Sequence, residues 1–375
     1  MAGIYIHIPF CSQACSYCDF HFSTSLKNKK QIISAIEKEL INEQHYLDGA
    51  LINTIYFGGG TPSLLESKLI ASILQTIQNN FSLSENIECT LEANPEDISM
   101  SKIDDWFDLG VNRISLGVQS FRDEDLNYMN RTHTKQQSIQ SIEMLKKSKI
   151  KNFSIDLIYG FPLLNNSGWV ANLEKVIALN VPHISCYCLT VEKGTALDYF
   201  IKNKKEQPLQ SETGREHFLI ARNMLLNHDY NHYEISNFSK KGYKSLHNKN
   251  YWNKTRYLGV GPSAHSFNGI SRRWNIRNNS IYCKKISRNE IVYEEEILTQ
   301  KNIINEYILT SIRTSSGVSL NYIKDHMNKT ELSRFNMEIN KLEKMELIEL
   351  KEETLYLNEQ GMLLSDMISK NLFLI

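Results

Sequence analysis

The sequence predicts an α/β fold, a partial (β/α)6 TIM-like barrel followed by a smaller C-terminal α+β domain. Three observations carry this. Short apolar runs alternate with amphipathic stretches through about residue 230, the pattern of parallel strands joined by right-handed crossovers. The alternation stops after about six units, short of the eight of a closed barrel; an open doubly wound sheet is the competing arrangement. Beyond residue 300 helical periods end in LIELKEETLYLNEQG, which alternates like two short strands around Glu352-Glu353-Thr354, so a winged-helix-like unit is expected there.

The elements follow in order. GIYIHI at 3–8 reads as a buried strand, and residues 29–47 as a helix with Ile32, Ile33, Ile36 and Leu40 on one face. A strand at 54–57 stops at Gly58-Gly59-Gly60, and a helix covers 64–79. The strand at 87–91 ends at Asn94-Pro95. The helix at 99–109 closes on Gly110, a C-cap candidate. Strands at 113–118, 153–159 and 184–189 alternate with helices at 134–148, 168–180 and 211–228. Residues 236–282 are rich in Asn, Ser, Gly and aromatics and show few long apolar periods. The expected division is a core domain over 1–230, a connecting region over 231–299 and a small domain over 300–375.

Bulk properties narrow the function. The 375 residues carry 42 Lys plus Arg and 42 Asp plus Glu, so net charge gives no support for nucleic-acid binding. The basic runs at Lys27–Lys30, Lys202–Lys205 and Lys240–Lys244 are short and mixed with Asn, Gly and Tyr, as in solvated loops. MAGIYIHIPF lacks the basic start of a secretion signal. No apolar run approaches the roughly 20 residues of a transmembrane segment. A cytoplasmic location is therefore expected, where the seven cysteines are reduced and a tight cysteine cluster points to metal rather than disulfide.

That cluster is Cys11, Cys15 and Cys18, a C-x3-C-x2-C loop just after the first strand. Three thiolates can hold three irons of a [4Fe-4S] cubane and leave the fourth iron open. An open iron can chelate the amino and carboxylate groups of S-adenosylmethionine (SAM) and pass it one electron. A zinc site is the alternative, but zinc usually takes four ligands in C-x2-C pairs; here the fourth would be His7, Asp19 or His21. Further along, Gly58-Gly59-Gly60-Thr61 would leave backbone N–H groups free beside the cluster and let a ligand approach closely. Glu92, Gln119 and Asp156 lie within or at the ends of strands, where carboxylates can bind ribose hydroxyls or an ammonium group. Arg131 can pair with a carboxylate.

The triplet, with Tyr17 before its last cysteine, resembles the radical SAM superfamily. The strings IYIHIPFCSQACSYCDF, YFGGGTPS, LEANPE, RISLGVQSF, NRTH, IDLIYGFP and LGVGPSAHSF resemble more narrowly the HemN/HemW group, the oxygen-independent coproporphyrinogen III oxidases and their relatives. The resemblance covers about residues 3–270. It implies the radical SAM type of barrel, with SAM contacts from Tyr5, Gly59, Gly60, Thr61, Glu92, Gln119, Arg131 and Asp156. Leu189 and His265 occupy places where the oxidases also approach SAM.

Within that group two functions compete: radical decarboxylation of coproporphyrinogen III, and heme binding with delivery to an acceptor. The resemblance favours delivery on three counts. The oxidases carry a fourth cysteine where this chain has Phe20. They have a long arm before the cluster, where this chain has residues 1–10. His247-Asn248-Lys249-Asn250-Tyr251-Trp252 fits the H-N-x-x-Y-W motif of the HemW branch. An imidazole is a good heme ligand, and Tyr251 and Trp252 supply flat faces for a porphyrin. His247 could equally hydrogen-bond within a loop, and His265 and Cys283 are other iron-ligand candidates. The implied partners are heme, a heme-acceptor protein such as a respiratory heme enzyme, and an electron donor. Coproporphyrinogen III oxidase activity is not expected.

Overall fold

The computed structural model describes residues 1–374. Its first strand shows how the sequence makes the fold. In β1 (Ala2–Ile8), Ala2, Ile4, Ile6 and Ile8 are fully buried on the helix-covered face. The alternation turns Gly3, Tyr5 and His7 to the inner face. The strands β2 (Ile52–Gly59), β3 (Leu83–Ala93), β4 (Arg113–Gln119), β5 (Asn152–Tyr159) and β6 (His183–Cys188) follow, each parallel to the one before. The helices Lys29–Asn42, Ser67–Asn80, Met100–Asp108, Lys135–Lys147, Asn166–Ala178 and Ser211–Leu226 alternate with them.

Local signals set the helix ends. Ser99 accepts from Lys102 N–H, Asn165 accepts from Gly168 N–H, and Thr134 forms a capping box with Gln137. Gly110, just past the helix Met100–Asp108, has φ +97°, the left-handed position that favours glycine.

Residues 231–299 extend this sheet at both edges. On one side, β8 (Asn237–Ser239) runs antiparallel to β6, with β7 (Asn231–Glu234) outside it. On the other side, β9 (Arg256–Val260) lies parallel to β1. It is followed outward by the antiparallel strands β10 (His265–Phe267), β11 (Ser271–Asn275) and β12 (Tyr293–Ile297). The result is a 12-stranded sheet with β12 and β7 at its ends, so the barrel is open. These added strands are three to five residues long, too short to leave a clear period in the sequence.

The segment read as a loop around His247 is a helix, Leu246–Trp252, capped by Ser245. Glu88 holds its start, accepting from Leu246 N–H at 3.0 Å and His247 N–H at 2.9 Å, a carboxylate on the positive end of a helix.

The C-terminal domain has its own core, including Ile308, Ile323, Phe335 and Leu355. It runs helix Gln300–Ser311, β13 (Val318–Ser319), helices Leu320–His326 and Lys329–Lys344, then the hairpin β14 (Ile348–Lys351) and β15 (Thr354–Leu357). The sheet order is β13-β15-β14, a winged-helix-like arrangement. Glu352 and Glu353 both take positive φ, 48° and 58°, as a two-residue hairpin turn requires. Among the described residues no helix is long and apolar enough to cross a membrane.

Candidate functional site

A cavity of about 640 Å³ opens at the C-terminal ends of the parallel strands, where α/β folds place ligands. Cys11, Cys15, Cys18, Gly59, Gly60, Thr61, Glu92, Gln119, Arg131, Asp156 and Leu189 all line it. Tyr5 and His265 do not. They face a neighbouring cavity of about 340 Å³, together with His7, His21 and Tyr251. The two cavities share Asp19 and Phe20. Phe20 is 64% exposed at this junction.

The cysteine loop is tied down by backbone hydrogen bonds. Cys11 N–H donates to Ser23 O at 3.1 Å, and Ser16 N–H to Met129 O at 3.2 Å. Arg131 reaches across: Nη1 donates to Cys15 Sγ at 3.3 Å, and Nη2 to Asn94 Oδ1 at 2.7 Å and Gly117 O at 3.1 Å. Its buried Nε has no partner. Burial raises the Cys11 thiol and pushes Cys18 up to about 12, so iron, which binds the thiolate, would have to displace these protons. Among the described residues no three His, Cys, Asp or Glu side chains group tightly enough for a single ion. A cubane takes its thiolates on separate irons, so thiols spread along one wall suit it better than they suit zinc.

The glycine run corrects one expectation. Gly60 N–H donates to Ile8 O at 2.8 Å and Thr61 N–H to Phe10 O at 2.6 Å, so these groups are not free for a ligand. What the glycines provide is room. A Cβ at Gly59, where φ is +102°, would lie 2.5 Å from the His7 ring, and one at Gly60 2.5 Å from Phe10 O. Only glycine lets β2 approach β1 closely enough to seat the cysteine loop.

Two carboxylates, Glu92 and Asp156, line the same cavity as the thiols. Tyr56 Oη donates to Glu92 at 2.8 Å, and the Tyr5 ring packs against Tyr56 with centroids 6.1 Å apart. Burial lifts Glu92 to about 7 and Asp156 to about 6. Beneath them Arg113, only 1% exposed, opposes both shifts. The sequence signals Arg113 only as a charge at the start of a strand that is otherwise uncharged. Gln119, buried on the cavity wall, has φ +65°, a left-handed strain that a non-glycine residue holds only where its surroundings enforce it.

A third cavity, of about 440 Å³, contains Tyr251 and Trp252 and shares Tyr187 with the first. His247 does not line it. The ring is buried, with Nδ1 2.8 Å from Thr54 Oγ1 and Nε2 2.9 Å from Tyr251 Oη. Burial lowers its pKa to about 3, so the imidazole is neutral and both its nitrogens are engaged. It positions Tyr251, which also meets Tyr257 edge-on at 4.8 Å. Cys283 is in the main hydrophobic core, away from all three cavities. His265 is exposed.

Comparison with known proteins places this geometry. The radical SAM superfamily domain matches residues 5–176, and the HemN C-terminal domain matches residues 298–364. The heme chaperone HemW of Lactococcus lactis is 32% identical over 95% of this chain and 93% of its own length. The chain belongs to the HemW family of radical SAM proteins. The HemW heme chaperone of Bacillus subtilis is 30% identical, over 98% of this chain and 97% of its own. The solved structure of the Escherichia coli coproporphyrinogen III oxidase HemN superposes with a TM-score of 0.86 over 99% of this chain and 90% of that one, at 20% identity, which shows the shared fold. Membership of the HemW family makes a [4Fe-4S] cluster and SAM the expected cofactors. The residues present fit them: three soft thiols, a guanidinium with an unpartnered Nε and two carboxylates line one cavity.

Proposed function

We propose that this protein binds heme and delivers it to an acceptor protein, with a [4Fe-4S] cluster on Cys11, Cys15 and Cys18 and SAM in the adjoining cavity. Similarity over nearly the full length to proteins named heme chaperones carries the reading. With one iron open, the cluster supplies one-electron chemistry at SAM. The chain's own residues bind and orient: Arg131 pairs with the SAM carboxylate, Glu92 and Asp156 take its hydroxyl and ammonium groups, and Gln119, Gly59, Gly60 and Thr61 shape the wall. Tyr5 acts from behind, through Tyr56 on Glu92.

The heme face is assigned to the helix Leu246–Trp252, with Tyr251 and Trp252 as the flat surfaces and His247 as the residue that positions Tyr251. With both nitrogens of His247 engaged, His265, exposed in the neighbouring cavity of about 340 Å³ that Tyr251 also lines, is the iron-ligand candidate. Residues 1–230 thus hold the cluster and SAM, 231–299 the heme face, and 300–375 a wall beside it. A cytoplasmic site of action, an electron donor for the cluster and a respiratory heme enzyme as acceptor complete the proposal.

Anaerobic reconstitution followed by hemin titration and an assay on coproporphyrinogen III tests it. About one heme per chain and no protoporphyrinogen IX is the expected result. Sustained production of protoporphyrinogen IX would establish the oxidase reading, which the shared fold with HemN otherwise leaves as the alternative.

A further inference from the structure

The chamber holding Tyr251 and Trp252 lies where the end of the sheet meets the C-terminal domain, since Thr310 also lines it. Tyr257 and Phe267 add flat apolar walls. Two cations, Lys254 and Arg272, stand among these rings, and they differ in one respect. Arg272 is already paired, donating to Glu306 through Nε at 2.7 Å and Nη2 at 2.8 Å. Lys254 forms no salt bridge among the described residues. Its ammonium donates to the Ile303 carbonyl and lies 5.6 Å from the Tyr307 ring centroid.

A half-buried cation without a counter-ion is costly. The cost shows in its acidity: burial lowers Lys254 to about 8, and Glu306 opposes the shift only in part. Its backbone is left-handed, with φ +54°, where the chain leaves the helix Leu246–Trp252. Asn237 Oδ1, buried in the wall of the same chamber, accepts no hydrogen bond. The chamber therefore combines aromatic faces, a lysine without a salt bridge and an unmatched polar atom, together with the buried Glu234, which burial lifts to about 7.

We propose that Lys254 anchors a carboxylate of the tetrapyrrole, with the macrocycle against Tyr251 and Trp252. The assignment rests on the heme-binding function proposed above. It makes this chamber selective for a planar apolar ligand with ionised propionates. A cation buried among aromatic rings binds a carboxylate more strongly than an exposed one.

Titration of the reconstituted full chain with hemin and with hemin dimethyl ester tests the proposal. Wild type should prefer hemin about ten- to hundredfold, the range of one charge-assisted hydrogen bond. In Lys254→Met that preference should shrink toward unity while the ester binds as before; Lys254→Arg should keep it. An unchanged preference in Lys254→Met, or none in wild type, overturns the anchor and leaves heme binding standing. If Lys254→Met unfolds because the tie to Ile303 is lost, Lys254→Gln, which can still donate to that carbonyl without a charge, decides: the preference should shrink there too, and an unchanged one overturns the anchor. A wild type that takes up neither ligand refutes heme binding and the anchor together.

Discussion

Glu92 and Asp156 are acids held above their ordinary range by burial, at about 7 and about 6. A carboxyl whose folded pKa is raised favours folding while protonated, and that contribution is lost as pH rises from its unfolded value, near 4, through the folded one. Glu92→Gln keeps a hydrogen-bonding group for Tyr56 and removes the titration. The melting temperature of the SAM-free variant should therefore gain on wild type between pH 5 and pH 8. SAM carries positive charge, so its binding favours the ionised carboxylates. Its affinity for wild type should rise over the same interval, with a shallower rise for Glu92→Gln. At neutral pH, Glu92→Ala and Asp156→Ala should each weaken SAM about ten- to hundredfold with cluster content intact. Calorimetry reads both effects, and unchanged SAM affinity in both variants would move the pocket elsewhere. At the thiols, Cys11→Ala, Cys15→Ala and Cys18→Ala should each largely remove iron and sulfide after anaerobic reconstitution. Cys89→Ala, Cys186→Ala and Cys188→Ala should not, since none of these lies on the loop. Stoichiometric zinc in protein purified anaerobically would instead favour the single-ion alternative.

The elements differed in how readable they were. β1 through β6 and their helices are legible because they are long and periodic, and several are bounded by Gly, Pro or a capping residue; Ser99, Asn165 and Gly110 sit at ends that the sequence marks. The strands of 231–299 are not legible, because pairing at the edges of β1 and β6 and with one another, rather than an apolar period, makes them strands. The site was legible to the extent that its residues come from strand ends. Cys11, Glu92 and Asp156 could be placed together from topology alone, whereas Arg113 and Tyr187 could not. The helix Leu246–Trp252 is too short to stand alone; it depends on Glu88 at its start and on the Thr54–His247–Tyr251 chain. His247→Ala breaks one buried and one part-buried hydrogen bond and leaves a cavity, so it should cost about 2–4 kcal/mol. Heme binding should weaken because Tyr251 loses its support. His247→Gln, which can still hydrogen-bond, should recover part of both losses. If neither variant changes the hemin titration or the melting temperature, this helix is not the heme face.

At the scale of the whole molecule, two large hydrophobic cores meet rather than merge, with a small third cluster of Tyr257, Phe267 and Leu298 beside them. One lies between the large sheet and its helices and the other within the winged-helix-like domain, with Met362 packed against both. Polar links join them: Arg272 with Glu306, Arg222 with Glu359, and Arg215 donating to Gln360. The cavity proposed for SAM is lined wholly by the larger unit, whereas the Tyr251 chamber takes Thr310 from the smaller one. A lesion confined to the small core should therefore separate the two ligands. Ile308 is fully buried there, on the helix that carries Ile303 and Glu306. Ile308→Ala should destabilise the C-terminal domain by about 2–5 kcal/mol, as large-to-small changes in packed cores do. Differential scanning calorimetry should show the loss as an earlier or split transition. SAM affinity and cluster content should match wild type, while hemin affinity falls as the wall carrying Ile303 and Thr310 loosens. An equal fall in SAM affinity would mean that the two units fold as one. Unchanged hemin binding despite the lower stability would remove the C-terminal domain from the heme site.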